Sequence, residues 1–175
     1  ISTVLEHASV GGTLTALQQQ GWEVDLLDIQ RDGTIDLEQL GDLLRKDTIL
    51  VSVCAVDSEL GTVQPIRQIT EILKDFPNCR LHVDATQAIG KTELVMDGVD
   101  TMSIAPHKFY GLNGSGLLLK KSSVIIEPQI HGGSSTTPYR SGTPALALAV
   151  SIEKALQLTL TQQEERIRYV RQLNE

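Results

Sequence analysis

Aromatic residues are scarce in this chain, at 3% of its 175 residues. Hydrophobic residues still make up 41%, so a sizeable core must be built mostly of leucine, isoleucine, valine and alanine. Cysteine is also rare, and both examples, Cys54 and Cys79, lie in or beside apolar runs. Their spacing fits neither a disulfide framework nor a CxxC metal site. We therefore predict two inert core thiols, no metal site, and a reducing compartment that is the cytoplasm by default.

Long apolar runs and clusters of positive charge are missing as well. No run reaches the length that spans a bilayer, and no signal peptide is recognisable. The 22 acidic and 15 basic residues give a net charge of −7 without a basic patch, so we predict no membrane association and no nucleic-acid partner. The chain begins inside an apolar run and ends inside a helical pattern. We therefore expect a fragment of a longer protein.

Apolar runs alternate with amphipathic patterns along the chain, which predicts strands and helices in turn. The predicted strands cover residues 1–5, 22–27, 48–56, 81–83, 101–105 and 116–120. Helices are predicted to begin after the capping residues Ser9 and Asp36 and at Pro65, and one long helix follows Arg140. This order indicates an α/β fold with a mostly parallel central sheet flanked by helices.

Four residues with charged or reactive side chains follow predicted strands, namely His7, Asp57, Asp84 and Lys108. Ligands of open α/β sheets bind at the carboxyl ends of the strands, so we expect these side chains to converge on one rim. Partial desolvation of Lys108 would disfavour its charged form and free the amine to attack an aldehyde. Within its own stretch, a surface lysine after a strand explains Lys108 equally well.

A lysine, a carboxylate and an imidazole at one rim suit the chemistry of pyridoxal phosphate (PLP). The lysine can form a Schiff base with the cofactor aldehyde, and the carboxylate can keep the pyridine nitrogen protonated so that the ring accepts electrons. A flat imidazole can stack on that ring. Of the other histidines, we interpret His82 as a structural residue that points away from Asp84. His131 fits a substrate contact or a solvated loop.

Five segments of the chain resemble the class V aminotransferases, and within that class the cysteine desulfurases of the NifS/IscS type. They are Glu6-His7 and residues 53–66, 82–91, 107–111 and 140–143. Together they cover nearly the whole chain in the order and spacing of the family. The resemblance implies the large domain of fold-type I PLP-dependent transferases over residues 1–143, truncated at its N-terminus. Residues 144–175 would form a long helix that leads toward an absent small domain.

The resemblance implies catalytic roles for Lys108 and His7, and both would also contact the cofactor. Lys108 would form the Schiff base and later move protons at the α-carbon of the substrate. His7 would stack over the ring, while Asp84 would pair with the pyridine nitrogen.

Four further cofactor contacts are implied by the same resemblance. Gln87 and Asp57 would lie at the phenolic oxygen of PLP, and His107 would contact its phosphate. Thr143 would reach the phosphate of the cofactor in the neighbouring subunit. That last contact requires a homodimer with shared active sites.

Three residues depart from the family pattern. Asp57 stands where the family usually has asparagine, and an ionised carboxylate cannot donate a hydrogen bond. Ala105 stands where a serine hydroxyl usually binds the phosphate. Pro106 removes a backbone donor just before His107.

The function implied by the resemblance is removal of sulfur from L-cysteine, which leaves alanine and an enzyme persulfide. Such sulfur serves iron–sulfur cluster assembly through a sulfur-acceptor protein. The reactive cysteine and the substrate-binding arginine of the family would lie beyond the C-terminus, so we expect these 175 residues to be inactive alone. Other class V enzymes, such as a selenocysteine lyase or an aminotransferase, remain alternatives. So does a non-catalytic homologue used for dimerisation or partner binding.

Overall fold

Short strands form the centre of the molecule. In the computed structural model, which describes residues 1–133 and 137–174, they are β1 (Ser2–Thr3), β2 (Leu26–Leu27), β3 (Leu50–Cys54), β4 (Arg80–Asp84), β5 (Thr101–Ile104) and β6 (Leu117–Lys120). Strands β3, β4, β5 and β6 are neighbours in that order. The first three of these run parallel, and β6 pairs with β5 in the antiparallel sense. The predicted mostly parallel sheet is confirmed.

The first two strands form a parallel pair that lies beside β3. Ser2 and Thr3 pair with Leu26 and Leu27, and the Ser52 amide of β3 donates to the Ile1 carbonyl at 3.0 Å. Both strands are shorter than predicted. In β1 one reason is a local turn: the Leu5 amide donates to the Thr3 hydroxyl at 3.1 Å, and this turn takes the chain out of the extended conformation.

Five α-helices lie between and after the strands in the part of the chain that the structure describes. They are α1 (Ala8–Gln19), α2 (Leu37–Leu43), α3 (Ile66–Ile72), α4 (Leu146–Thr161) and α5 (Gln163–Asn174). Two short 3-10 helices, Leu73–Asp75 and Pro106–Phe109, follow α3 and β5. The helices predicted from residues 9, 36 and 65 are thereby confirmed.

The capping residue was predicted correctly for one of the first two helices and wrongly for the other. Asp36 caps α2 as predicted, because its carboxylate accepts from the Glu38 and Gln39 amides at 3.0 and 3.1 Å. The predicted Ser9 cap of α1 is wrong. His7 is the capping residue, since its Nδ1 accepts from the Ser9 amide at 3.2 Å.

The single long helix predicted after Arg140 is also wrong. Regular helix begins only at Leu146, and α4 and α5 are separate helices with Gln162 between them. The Thr161 hydroxyl donates back to the Gln157 carbonyl at 2.7 Å, an interaction that bends helices. The domain boundary predicted at residue 143 stays a prediction, and Glu175 lies outside the described residues.

The core is aliphatic, as the composition predicts. Deeply buried side chains from β3, β4 and β5 and from α2 and α3 include Val51, Val53, Leu81, Val83, Met102, Leu40 and Ile69. Phe109 is the one aromatic residue of the described chain in the fully buried set. Among the helices that the structure describes, none has the length and apolar character needed to cross a membrane.

Candidate active site

A cavity of about 550 Å³ lies where β3, β4 and β5 end. Its lining includes five of the seven predicted site residues: His7, Asp84, Gln87, His107 and Lys108. These residues come from segments far apart in the sequence, and parallel pairing brings the ends of their strands to the same edge. The predicted convergence of His7, Asp84 and Lys108 on one rim is therefore what the structure shows, whereas Asp57 and Thr143 are not part of the lining.

Asp84 is the last residue of β4 and is half-buried. Its Oδ1 accepts from the Thr86 amide at 2.9 Å, in the turn that follows the strand. This hydrogen bond fixes the direction of the carboxylate in the lining of the cavity.

Lys108 lies in the 3-10 helix that follows β5. Pro106 and Phe109 are buried at the two ends of this helix, so His107 and Lys108 between them are directed outward and are exposed. The predicted desolvation of Lys108 is therefore wrong for this chain. The apolar run ends before Lys108, and the turn carries its side chain out of the core to the edge of the cavity.

Lys91 is a second cation near this site that the sequence did not single out. Its Nζ donates to Gln87 Oε1 at 2.5 Å. Burial, followed by the charge of Lys108, lowers the pKa of Lys91. The four-residue spacing of Gln87 and Lys91 within one turn was the available signal. Because Lys91 donates to the side-chain oxygen Oε1 of Gln87, the side-chain nitrogen Nε2 of Gln87 can donate to another group.

His7 lines the cavity from the segment between β1 and α1. Its Nδ1 accepts from the Ser9 amide and lies 2.8 Å from the Ser9 hydroxyl. The ring is exposed, and the cap gives it a defined orientation.

Asp57 does not line the cavity, contrary to its predicted place at the cofactor. It is only 5% exposed, and its Oδ1 accepts from the Glu59 and Leu60 amides at 3.1 and 2.5 Å. The carboxylate therefore builds the turn after β3. The neighbouring Ser58 is exposed and lines the cavity instead, with a hydroxyl that can donate a hydrogen bond.

His82 shares a face of β4 with Asp84, so its predicted direction was wrong. Residues two positions apart in a strand lie on the same side. Its ring nitrogens lie 2.8 Å from Thr101 Oγ1 and 3.2 Å from Ser103 Oγ, and burial lowers its pKa while the charge of Asp84 opposes that shift. A half-buried imidazole with both nitrogens bonded fits the structural role predicted for it.

The two cysteines are free and buried. Burial raises the pKa of Cys54, which lines the cavity, far above the ordinary thiol range. Burial also raises the pKa of Cys79. Thiols that stay protonated are poor nucleophiles, in agreement with the inert role predicted for both. The described residues contain no group of side chains suited to hold a metal ion.

Comparison with known proteins places this chain in a family. The family model for class V aminotransferases matches residues 1–174. The chain belongs to the class V aminotransferase family. The resemblance predicted from five segments is thereby confirmed.

Two similar proteins are named as a NifS/IcsS homologue and as a cysteine desulfurase. It is 42% identical over 169 residues to a "NifS/IcsS protein homolog" of Lactobacillus delbrueckii subsp. bulgaricus, with 95% of the chain and 44% of that protein covered. It is 35% identical over 177 residues to "Cysteine desulfurase IscS" of Dictyoglomus turgidum, with 100% of the chain and 45% of that protein covered. The class V chain thus spans less than half the length of these relatives.

A solved structure supports the same grouping. A "NifS-like protein" superposes on the class V chain with a TM-score of 0.90 and 35% identity, over 94% of this chain and 46% of the other. The predicted fold, an α/β domain of the type found in these proteins, is confirmed.

The class V family implies PLP, and the cavity can be tested for a fit to it. The lining offers an amine, a carboxylate, an amide and two imidazoles, from Lys108, Asp84, Gln87, His7 and His107. In that order, these five groups are suited to the aldehyde, the pyridine nitrogen, the phenolic oxygen, the ring face and the phosphate of PLP. The cavity volume also falls within the range of roughly 300–1,000 Å³ usual for small-molecule sites. The residues present therefore fit PLP.

Proposed function

We propose that this chain supplies the PLP-binding part of a cysteine desulfurase. In that reaction the carbon–sulfur bond of L-cysteine breaks, the sulfur joins an enzyme thiol as a persulfide, and hydrogen replaces it to give alanine. The observation that carries the proposal is the cavity in which Lys108, Asp84 and Gln87 meet. The substrate rests on the relative named cysteine desulfurase.

The residues of the cavity divide the work. Bound PLP supplies an electron sink for negative charge that develops at the α-carbon of the substrate. Lys108 holds the cofactor by its amine and then takes and returns the proton at the α-carbon. Asp84, fixed by the Thr86 amide, keeps a proton on the pyridine nitrogen.

Other residues orient the cofactor. Gln87, whose Oε1 is held by Lys91, directs its amide nitrogen to the phenolic oxygen, and the hydroxyl of Ser58 supplements it in place of Asp57. His7 covers the ring, and His107 contacts the phosphate. The thiol that receives sulfur is neither Cys54 nor Cys79, because burial keeps both protonated. We place that thiol outside these 175 residues, and we propose that the persulfide passes to a sulfur-acceptor protein in iron–sulfur cluster assembly.

We also propose a homodimer with shared active sites. Thr143 is exposed, which suits a contact with the cofactor of a neighbouring subunit. Close to it, α4 presents Leu146 and Val150 with 74% and 56% of their surface exposed. A reducing compartment, the cytoplasm by default, agrees with the two free thiols.

The test of the cofactor site is reduction with borohydride after PLP is added, followed by peptide mapping. It uses the longest natural chain that carries this sequence, because the family relatives are more than twice as long. We expect a visible absorption band and a label on Lys108 that is lost in Lys108→Ala. Lys74→Ala is the matched control, since Lys74 pairs with Glu71 on the surface away from the cavity.

Two outcomes would contradict the proposal. A label on another lysine would place the cofactor elsewhere, and absence of any band would favour a non-catalytic homologue. Alanine release from L-cysteine tests the substrate separately. Release of selenium from selenocysteine without alanine release from L-cysteine would favour a selenocysteine lyase, and transfer of the amino group to a keto acid would favour an aminotransferase.

A further inference from the structure

The hydrogen bonds between the main chains of β1 and β3 stop just before the cavity. The Ile1 nitrogen donates to the Leu50 carbonyl at 2.9 Å, and the Ser52 amide donates to the Ile1 carbonyl at 3.0 Å. In a regular parallel ladder, the next β3 amide on this side, that of Cys54, would donate to the Thr3 carbonyl. The chain turns after Thr3, where the Leu5 amide donates to the Thr3 hydroxyl, and the Cys54 amide donates to a side chain instead.

The side chain of Glu6 takes the position of the missing carbonyl. Its Oε1 accepts from the Cys54 amide at 2.7 Å and from the Thr3 hydroxyl at 3.1 Å. The bond to Cys54 joins residues 48 positions apart. Glu6 therefore fastens the segment after β1 to the end of β3 by a hydrogen bond that links distant parts of the chain.

The other oxygen of this carboxyl group is unusual. Oε2 of Glu6 is buried and has no hydrogen-bond partner among the described residues. Burial, supported by the charge of Asp84, raises the pKa of Glu6 to about 7, although the bonds from Cys54 and Thr3 oppose the shift. Burying this carboxyl group costs free energy because water is removed from it. An apolar side chain would avoid that cost but could not accept the hydrogen bond from the Cys54 amide.

Glu6 is next to a residue of the proposed site but does not reach the site itself. The cavity lining includes Leu5 and His7, on either side of Glu6, and Cys54, to which Glu6 is bonded. We propose that Glu6 is a positioning residue that sets the place of the His7 ring over the cavity by anchoring this segment to β3. The inference deepens the proposed function, because it assigns His7 the part of covering the cofactor.

Two substitutions at Glu6 test the hydrogen bond to the Cys54 amide. Glu6→Gln keeps an oxygen that accepts from the Cys54 amide, whereas Glu6→Ala removes it. Hydrogen exchange at the Cys54 amide, resolved by mass spectrometry of fragments, should accelerate roughly tenfold or more in Glu6→Ala and return near the wild-type rate in Glu6→Gln. The Ala55 amide is the internal reference, because it donates to the Asp84 carbonyl on the other side of β3 at 2.8 Å.

The position of His7 is read from its ring signals in protein labelled with ¹³C-histidine, without cofactor. We expect them to move toward the values of a free histidine in Glu6→Ala and to stay near wild type in Glu6→Gln. Should Glu6→Ala not fold, Glu6→Asp answers the same question, because its side chain is one methylene too short to reach Cys54. Glu59→Ala, which removes an exposed carboxylate in the cavity lining, is the matched control.

Unchanged exchange at Cys54, or unchanged His7 signals after the anchor is lost, would overturn the inference. Its failure is distinguishable from failure of the proposed function. Borohydride labelling of Lys108 reports on the cofactor site alone, and we expect it to persist in Glu6→Ala. The exchange and ring signals report on the anchor whether or not PLP binds.

Discussion

The carboxyl group of Glu6 couples the stability of the fold to pH. Its pKa is raised to about 7, chiefly by burial, so the folded state favours the protonated form. The stabilising contribution is complete below the unfolded pKa of about 4.3 and is lost as pH rises through about 7. Asp84 is the charged group that faces Glu6 and adds to this shift, while the Cys54 amide and the Thr3 hydroxyl oppose it.

We predict that Glu6→Gln removes this pH dependence. Between pH 4.5 and 8.5 the free energy of unfolding of the wild type should fall, relative to the variant, by about 3 kcal/mol. Urea denaturation at several pH values measures both proteins, and the difference cancels groups such as His82 that titrate in each. A constant difference across this range would show that the pKa of Glu6 is the same in the folded and unfolded states.

At the scale of residues, the sequence predicted which side chains share the cavity better than it predicted the direction of each side chain. Lys108, Asp84, Gln87, His7 and His107 reach one cavity because topology alone brings strand ends together. The direction of a side chain depends on turns that form after the strand. Asp57, the carboxylate after β3, accepts hydrogen bonds within its own turn and lies outside the cavity lining, whereas Ser58 belongs to that lining.

At the scale of elements, α4 packs against the turn between β4 and β5 through one close contact. Gly90 has φ of +72°, and a Cβ at this position would lie 2.0 Å from Thr159 Cγ2. Thr159 is 2% exposed, and its hydroxyl donates to the Phe109 carbonyl at 3.4 Å. The glycine therefore allows α4 to approach both this turn and the 3-10 helix that carries Lys108.

We predict that Gly90→Ala lowers the free energy of unfolding by about 2–4 kcal/mol, from backbone strain together with overpacking. Gly21→Ala is the matched control, since Gly21 has φ of +93° but no neighbouring atom within 4 Å of the place that a Cβ would take. That variant should lose only about 1 kcal/mol. Equal losses in urea denaturation would mean that the contact with Thr159 contributes nothing.

Elements governed by neighbouring residues were predicted well, and those governed by distant ones were not. Asp36 caps α2 through the two amides that follow it, so the local sequence was sufficient. The length of β1 depends on a turn at Thr3 and on the side chain of Glu6, which bonds to a strand 48 residues away. Local and distant contacts both act where α4 and α5 divide: the Thr161 hydroxyl donates to the Gln157 carbonyl, and the Gln163 side chain donates to the Thr92 carbonyl at 3.1 Å.

At the scale of the molecule, the alternation of strands and helices was enough to predict an α/β fold, because few topologies satisfy it. The outer surface is harder to interpret from sequence. Leu146 and Val150 fall one turn apart on α4 and are exposed by 74% and 56%, although helical periodicity alone would assign apolar residues to a core. An apolar stripe beside Thr143 is what the proposed homodimer requires.

We predict that Leu146→Glu shifts the protein toward monomers, because a charge in an apolar interface must be desolvated without a partner. Sedimentation velocity over a range of concentrations should show a dissociation constant raised about tenfold or more. Gln157→Glu introduces the same charge at an exposed position of α4 and should leave association unchanged. If both variants associate as the wild type does, the face beside Thr143 is not the dimer interface, and Thr143 cannot reach a neighbouring cofactor through it.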